Sequence, residues 1–277
     1  MSYEFTVSYH DDPIIPGRAV DIMQPRTVTR EVALFFVHGG GWESGHRDGF
    51  HPIMHEYVRA GFICATAGYR LGGVNALDQL SDVRHGYDTL VTFLKQAGRP
   101  LRVVVYGVSA GAHLAALLSL AGPGECGESL AAGTYMIRNA WVAPVGMALQ
   151  SAPVCFMPWE DMFPPIWRLM QRIAGTPYAD NPELYRRLSP ISYVRADSCP
   201  VLLMEAGNEH MFPRRLAQEF AGRLRGLNRR VELIVYPEVE HGFFYELVRR
   251  QQRQAFADLL DFAVSLEAEH PSDGQGA

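Results

Sequence analysis

Residues 103–118 read Val-Val-Val-Tyr-Gly-Val-Ser-Ala-Gly-Ala-His-Leu-Ala-Ala-Leu-Leu, an apolar strand that passes through Gly-x-Ser-x-Gly straight into a helix-forming run. No other stretch constrains the fold so tightly. A strand can turn into a helix over so few residues only if the corner residue accepts a strained backbone and the residues two positions to either side carry no Cβ, the part expected of Gly107 and Gly111. The strain lifts Ser109 Oγ clear of the sheet. It also sets the hydroxyl at the positive end of the following helix, where the Ala110 N–H can meet a developing oxyanion. Ser109 is therefore the candidate nucleophile and Ala110 a candidate oxyanion donor.

A second apolar strand, Ala33-Leu-Phe-Phe-Val37, ends in His38-Gly39-Gly40-Gly41-Trp42. Three successive glycines leave backbone N–H groups uncovered, and next to the elbow such a loop supplies the remaining oxyanion donors, the amides of Gly40 and Gly41. Loss of one such donor typically costs roughly 3 kcal/mol of transition-state stabilisation. Trp42, at the end of the glycine run, is expected to touch substrate.

Helical stretches over His51–Arg59 and Leu77–Ala97 alternate with strand-like runs at Gly61–Ala67, Val103–Val108, Met147–Phe156, Val201–Glu205 and Val231–Tyr236. Strands separated by helices of this length imply parallel crossovers and an α/β fold with a mostly parallel, doubly wound sheet whose site lies at the strands' C-terminal ends. No Pro/Gly/Ser linker or charge block divides the 277 residues, so a single domain over residues 1–269 is expected, followed by a disordered tail, 270–277. With 25 basic against 30 acidic side chains and no basic stripe interleaved with aromatics, nucleic acid is not an expected partner. Cys64, Cys126, Cys155 and Cys199 have neither metal-ligand nor disulfide-framework spacing and read as small buried hydrophobes in a reduced chain. The start, Met-Ser-Tyr-Glu-Phe-Thr, has no basic region leading into an apolar stretch, and no apolar run is long enough to span a membrane; a cytoplasmic address is expected. No His/carboxylate cluster with metal spacing, dinucleotide fingerprint or Walker loop is present, so neither metal nor cofactor is expected.

In these motifs the chain resembles the α/β-hydrolases of the esterase/lipase group that carry His-Gly-Gly-Gly, the hormone-sensitive-lipase-like and feruloyl/acetyl-esterase-like families. The likeness runs from around Ala33 to around Phe262 and rests on His38-Gly-Gly-Gly-Trp-Glu-Ser-Gly45, Gly68-Tyr-Arg-Leu71, Gly107-Val-Ser-Ala-Gly111, Leu188-Ser-Pro-Ile191 and Glu240-His-Gly-Phe243, in that order. It implies an α/β-hydrolase fold and cleavage of a carboxylic ester through an acyl-enzyme.

The resemblance also places the remaining site residues. A histidine is due on a loop after the last strand, and His241 follows Val231–Tyr236 at the expected distance and precedes an amphipathic helix. It would take the Ser109 proton and return it to the leaving alcohol. The acid is less plainly marked, because Leu203-Met-Glu-Ala-Gly-Asn-Glu-His-Met-Phe-Pro213 contains no aspartate. Glu209, two residues after Gly207 and four before Pro213, sits where related esterases carry the acid; a count of three from Gly207 falls on His210, and Asp161 and Glu160 are the alternatives. Residues 153–200, rich in Pro, Trp, Met and Arg, correspond to a small cap insertion over the pocket, with Trp159, Phe163 and Trp167 expected on its wall. Tyr69-Arg70-Leu71 resembles a signature that braces the oxyanion loop. Asp78 and Asp82 share a helix face, which suggests capping or an ion pair with Arg84 or Arg70.

The expected function is that of a serine carboxylesterase acting on a small-molecule ester with a short-chain or aromatic acyl group. An aryl-formamidase-like or tailoring hydrolase on amides or lactones would use the same machinery. A catalytically inactive hydrolase that binds a ligand is the reading from another class.

Overall fold

Eight strands join one sheet in the order β1-β2-β4-β3-β5-β6-β7-β8 in the computed structural model, which describes residues 5–130 and 140–268. The strands are β1 (Phe5–His10), β2 (Val20–Pro25), β3 (Ala33–Val37), β4 (Cys64–Ala67), β5 (Val103–Val108), β6 (Gly146–Gln150), β7 (Val201–Asn208) and β8 (Val231–Glu240). β1 and β2 are antiparallel and β2 joins β4 antiparallel, whereas every pairing from β4 through β3 and β5 to β8 is parallel. The helices are α1 (His51–Arg59), α2 (Ala76–Gln96), α3 (Ala110–Leu120), α4 (Pro164–Ala174), α5 (Pro182–Arg187), α6 (Arg214–Gly226) and α7 (Arg250–Ala268). This is the mostly parallel α/β arrangement expected from the alternation of strands and helices.

The central strands read as unbroken apolar runs because helices cover both faces of the sheet. β3 and β5 are buried along their whole length, and alternate side chains go to opposite layers. Phe35 and Val105 belong to the core layer that holds α2, α3, α4 and α6, while Leu34, Phe36, Val104 and Tyr106 belong to the layer that holds α1 and α7. α2 begins at Asn75, whose side chain accepts the Leu77 and Asp78 N–H groups while the Asp78 carboxylate accepts the Asn75 N–H. Asp82, four residues on, takes a bidentate hydrogen bond from Arg70 at 2.8 and 2.9 Å. One of the paired aspartates thus caps the helix and the other holds an ion pair.

Besides β6, which stops at Gln150 rather than running to Phe156, two elements differ from the sequence expectation. The N-terminal β1–β2 hairpin is not among the expected strands: β1 alternates, Phe5-Thr-Val7-Ser-Tyr9-His10, but is half exposed, and β2 is interrupted by Asp21, a buried carboxylate. Asp21 is paired from outside the strand with Arg47 and His51 at 2.9 and 3.0 Å. α4 is the second. Its Pro164-Pro165 start reads as loop, yet proline suits the first helical turn, and Gly175, at φ 77°, closes the helix in the left-handed conformation. Residues 153–200, between β6 and β7, contain α4, α5 and a 3-10 turn at Pro190–Tyr193, and no strand. The tail expected over 270–277 lies outside the described residues.

β7 carries one side chain at odds with its surroundings. Glu205 is 2% exposed on a strand made of Val, Leu and Met up to that point, and its Oε1 has no hydrogen-bond partner among the described residues. Burial raises its carboxyl from 4.5 to about 7, with the Glu209 charge adding to the rise and Arg214 opposing it. Below 4.5 folded and unfolded chains both hold this proton; between 4.5 and 7 only the folded chain does, so the stabilisation is lost as pH rises through that window. The loss is on the order of 3 kcal/mol. Replacing Glu205→Gln should therefore raise Tm relative to wild type by several degrees more at about pH 8 than at about pH 5 in scanning calorimetry. An equal offset at both pH values would mean that Glu205 does not titrate in this range.

Candidate active site

The elbow is built by two close backbone approaches. Ser109 has φ 53° and ψ −122°, outside the strand and helix regions, and its N–H and C=O are fixed by Gln150 O and His113 N at 2.9 and 3.0 Å. A Cβ at Gly107 would lie 2.4 Å from Gly111 O, and one at Gly111 would lie 2.1 Å from Val37 O. Any side chain at either position would push α3 off the ends of β5 and β3. Ala110 opens α3, so its N–H is one of those without an intrahelical partner.

The glycine loop follows β3 and turns through positive φ at Gly40, Gly41 and Trp42. The Gly40 carbonyl accepts the Glu43 and Ser44 N–H groups and the Ser44 hydroxyl. Since a trans peptide sets C=O and the next N–H on opposite sides, the Gly41 N–H faces away from that turn. The loop is anchored at its start by Tyr69, whose hydroxyl donates to His38 O at 2.8 Å and whose ring stacks on His38 at 4.2 Å. His38 Nδ1–H donates to Gly39 O, and burial pushes its imidazole down to about 4, so it is neutral. Trp42 ends the loop in the core: it is 1% exposed, and its Nε1–H donates to His113 Nδ1 at 3.2 Å. His113 Nε2–H in turn donates to Leu188 O at 2.7 Å, and burial pushes this imidazole down to about 4 as well.

Three side chains meet in series at the mouth of the elbow. His241 Nε2 lies 2.7 Å from Ser109 Oγ, and His241 Nδ1 lies 2.7 Å from Glu209 Oε2. The other Glu209 oxygen accepts the Met211 and Phe212 N–H groups at 2.8 and 3.3 Å. Burial would raise this carboxyl, but the His241 hydrogen bond and charge, the Met211 N–H and the adjacent Ser151 hydroxyl outweigh it and hold the group below the usual carboxylate range. One carboxylate thus reaches the imidazole with one oxygen and its own turn with the other. His210 points to solvent beside Glu240, and Glu160 and Asp161 are exposed without a bond to His241.

A cavity of about 530 Å³ opens at this point, lined by the glycine loop, Ser109, Ile166, Leu169, Met211, Phe212, His241 and Tyr245, among others. Trp42 contributes one edge. The expected wall residues Trp159, Phe163 and Trp167 do not line it: Trp159 packs against Phe212, Trp167 packs against Tyr178 and Tyr185, and Phe163 is 50% exposed. The reason is helical phase. Ile166, Met170 and Ile173 form the buried stripe of α4, and Trp167 is rotated about 100° from Ile166 toward α5. Bulk suggested the tryptophans; periodicity within a correctly assigned helix would have found Ile166. Tyr245 and Ser151 carried no sequence signal beyond nearness to His241 and to the end of a strand.

Cys64 and Cys126 are buried and Cys155 and Cys199 half-buried, all four free. Among the described residues no group of three or more His, Cys, Asp or Glu is placed to hold a metal ion, and no helix is long and apolar enough to cross a membrane.

Comparison with known proteins bears on fold and lineage. Esterase B from Lactobacillus rhamnosis superimposes with a TM-score of 0.75 at 17% identity, covering 96% of this chain and 86% of that one. Thermogutta terrifontis esterase 2, in its form phosphoramylated by tabun, gives 0.71 at 18% identity over 95% and 94%. These likenesses establish the α/β-hydrolase fold. In sequence, the probable carboxylic ester hydrolase LipM of Mycobacterium tuberculosis is 26% identical over 218 residues, 76% of this chain and 49% of that protein. The chain spans about half the length of the curated relatives it matches first. The stretch with His241 falls within residues 185–266, which match the dienelactone hydrolase family. Residues 20–224, which hold the glycine loop, the elbow and Glu209, match BD-FAE, and on that match the chain belongs to the BD-FAE family of α/β-hydrolase serine esterases.

Proposed function

We propose that the protein is a serine carboxylesterase that cleaves short-chain or aromatic acyl esters through an acyl-enzyme. The observation that carries this reading is the unbroken series Glu209–His241–Ser109, with both bonds at 2.7 Å, facing a cavity rimmed by the glycine loop. The names of LipM and its kin as ester hydrolases support it.

In the proposed reaction the His241 imidazole holds its proton on Nδ1 against Glu209, which leaves the Nε2 lone pair to take the Ser109 proton as Oγ attacks the ester carbonyl. Charge passes to the carbonyl oxygen, met by the N–H groups of Gly40, Gly41 and Ala110. Glu209 stabilises the imidazolium. Collapse expels the alcohol with the proton from His241, and water then repeats the cycle on the acyl-enzyme. His38 and His113 stay neutral over this range, so neither competes for the proton. Residues 153–200 act as a cap in this reading, with Ile166 and Leu169 of α4 over the reacting centre.

A fluorophosphonate probe tests the core of the proposal: wild type should label at Ser109, and absence of labelling would favour an inactive hydrolase. Ser109→Ala and His241→Ala should each lower kcat by about 10⁴- to 10⁶-fold, with the double variant hardly worse, since members of one catalytic unit do not add. Glu209→Gln should cost about 10³- to 10⁴-fold and Asp161→Asn nearly nothing, measured with p-nitrophenyl acetate; the reverse ranking would move the acid to the segment after β6. Acyl preference should peak between acetyl and butyryl, because each further CH₂ that meets the wall forgoes about 0.8 kcal/mol of burial. The peak should move to longer chains in Ile166→Ala and stay put in Trp167→Ala; the opposite response would return the wall to the tryptophan.

A further inference from the structure

Tyr245, four residues beyond His241, reaches the same cavity as the proposed nucleophile. Its ring is stacked on Phe50 at 4.8 Å and 18°, with Gly49 along its edge, so the phenol is held in one orientation. Its oxygen accepts the Gly39 N–H at 2.9 Å, and that is its only hydrogen bond among the described residues. A phenol oxygen both accepts and donates. Here the accepting side is used and the hydrogen is uncommitted.

The hydroxyl also stands close to the reacting centre. A Cβ built on Gly39 would lie 3.2 Å from Tyr245 Oη and 3.3 Å from Ser109 Cβ, so the phenol and the serine border the same space beside Gly39. Much of the rest of the lining offers no partner for a donor: Ile166, Leu169, Met211 and Phe212 present hydrocarbon, and the Ser44 hydroxyl already donates to Gly40 O. Burial pushes the phenol up to about 12, with the Gly39 N–H drawing it back, so it keeps its hydrogen at any ordinary working pH.

Resting on the esterase reading of the site, we propose that Tyr245 is a specificity-determining residue that touches substrate, its hydroxyl donating to a second hydrogen-bond acceptor beside the scissile ester. The substrate class is then esters with an ether, hydroxyl or carbonyl oxygen within a few bonds of the reacting carbonyl. Once such an ester fills the cavity and water is expelled, the donor is satisfied. A hydrocarbon isostere leaves it unpaired at a cost that one hydrogen bond in a partly open site turns into about ten- to hundred-fold in kcat/KM.

Two matched pairs test this and separate the acyl from the alcohol side. p-Nitrophenyl methoxyacetate against p-nitrophenyl butyrate exchanges one CH₂ for oxygen in the acyl group, and 2-methoxyethyl butyrate against butyl butyrate does so in the alcohol. Each kcat/KM ratio is divided by the ratio for hydroxide-catalysed hydrolysis to remove intrinsic reactivity. In wild type the corrected ratio of at least one pair should favour the ether by about tenfold or more, and Tyr245→Phe should bring it to near unity. Corrected ratios near unity in both pairs for wild type overturn the inference without recourse to any variant. An unchanged ratio in Tyr245→Phe, with both members of a pair slowed equally, overturns it too and leaves Tyr245 as a support for Gly39. If wild type cleaves none of the four esters, the esterase reading falls and this inference with it.

Discussion

The whole site depends on one backbone-to-backbone contact, the first turn of α3 lying against the end of β3. With the hydrogen of Gly111 replaced by a methyl, the carbon would sit 2.1 Å from Val37 O and 2.4 Å from His38 O, inside any tolerable separation. This contact, and the matching one at Gly107, is what puts the serine corner directly beside the glycine loop. The energy of the strained φ at Ser109 is of the order of 1–3 kcal/mol and persists because the surrounding sheet leaves it no other conformation. A nucleophile on a relaxed turn would sit lower and farther from the loop.

From that contact the remaining parts are tied together largely by neutral, buried hydrogen bonds. Trp42, His113 and Leu188 form a chain from the glycine loop through the elbow helix to the segment before β7. Tyr69 holds the other end of the loop at His38. Each is worth only about 1 kcal/mol net, yet each fixes a tautomer or a peptide plane that the site's geometry needs. The Glu43–Arg172 pair joins the loop to α4 at the surface, where screening leaves it little strength.

What could be read from the sequence was what is local or strictly spaced. The strand–Gly-x-Ser-x-Gly–helix run and the glycine loop are contiguous, so their geometry is written in neighbouring residues. Glu209 was reachable by counting from Gly207 and Pro213, and it is the carboxylate bonded to His241. Its second set of partners, the Met211 and Phe212 amides, had no sequence mark, because backbone donors look alike in any residue. β2 was hidden by Asp21, whose partners Arg47 and His51 come from a later turn. Residue size points to Trp167 for the cavity wall, whereas helical phase puts Ile166 there: Trp167 is larger but one position round the helix. Tyr245 was passed over since nothing in a lone tyrosine announces that a distant glycine N–H will orient it.

Met211 and Phe212 hold the outer oxygen of Glu209, the proposed acid, through their amides and line the cavity with their side chains. The acid's seat and the cavity's wall are therefore the same turn of chain. On the proposed mechanism, drift in those two positions cannot reshape what the cavity accepts without also disturbing the proton relay, whereas α4 contributes wall and no part of the relay. Divergence in substrate range within such a scaffold has an open route through α4 and a guarded one through residues 211 and 212, so two descendants of this chain would be expected to differ first in the helix and last in the turn.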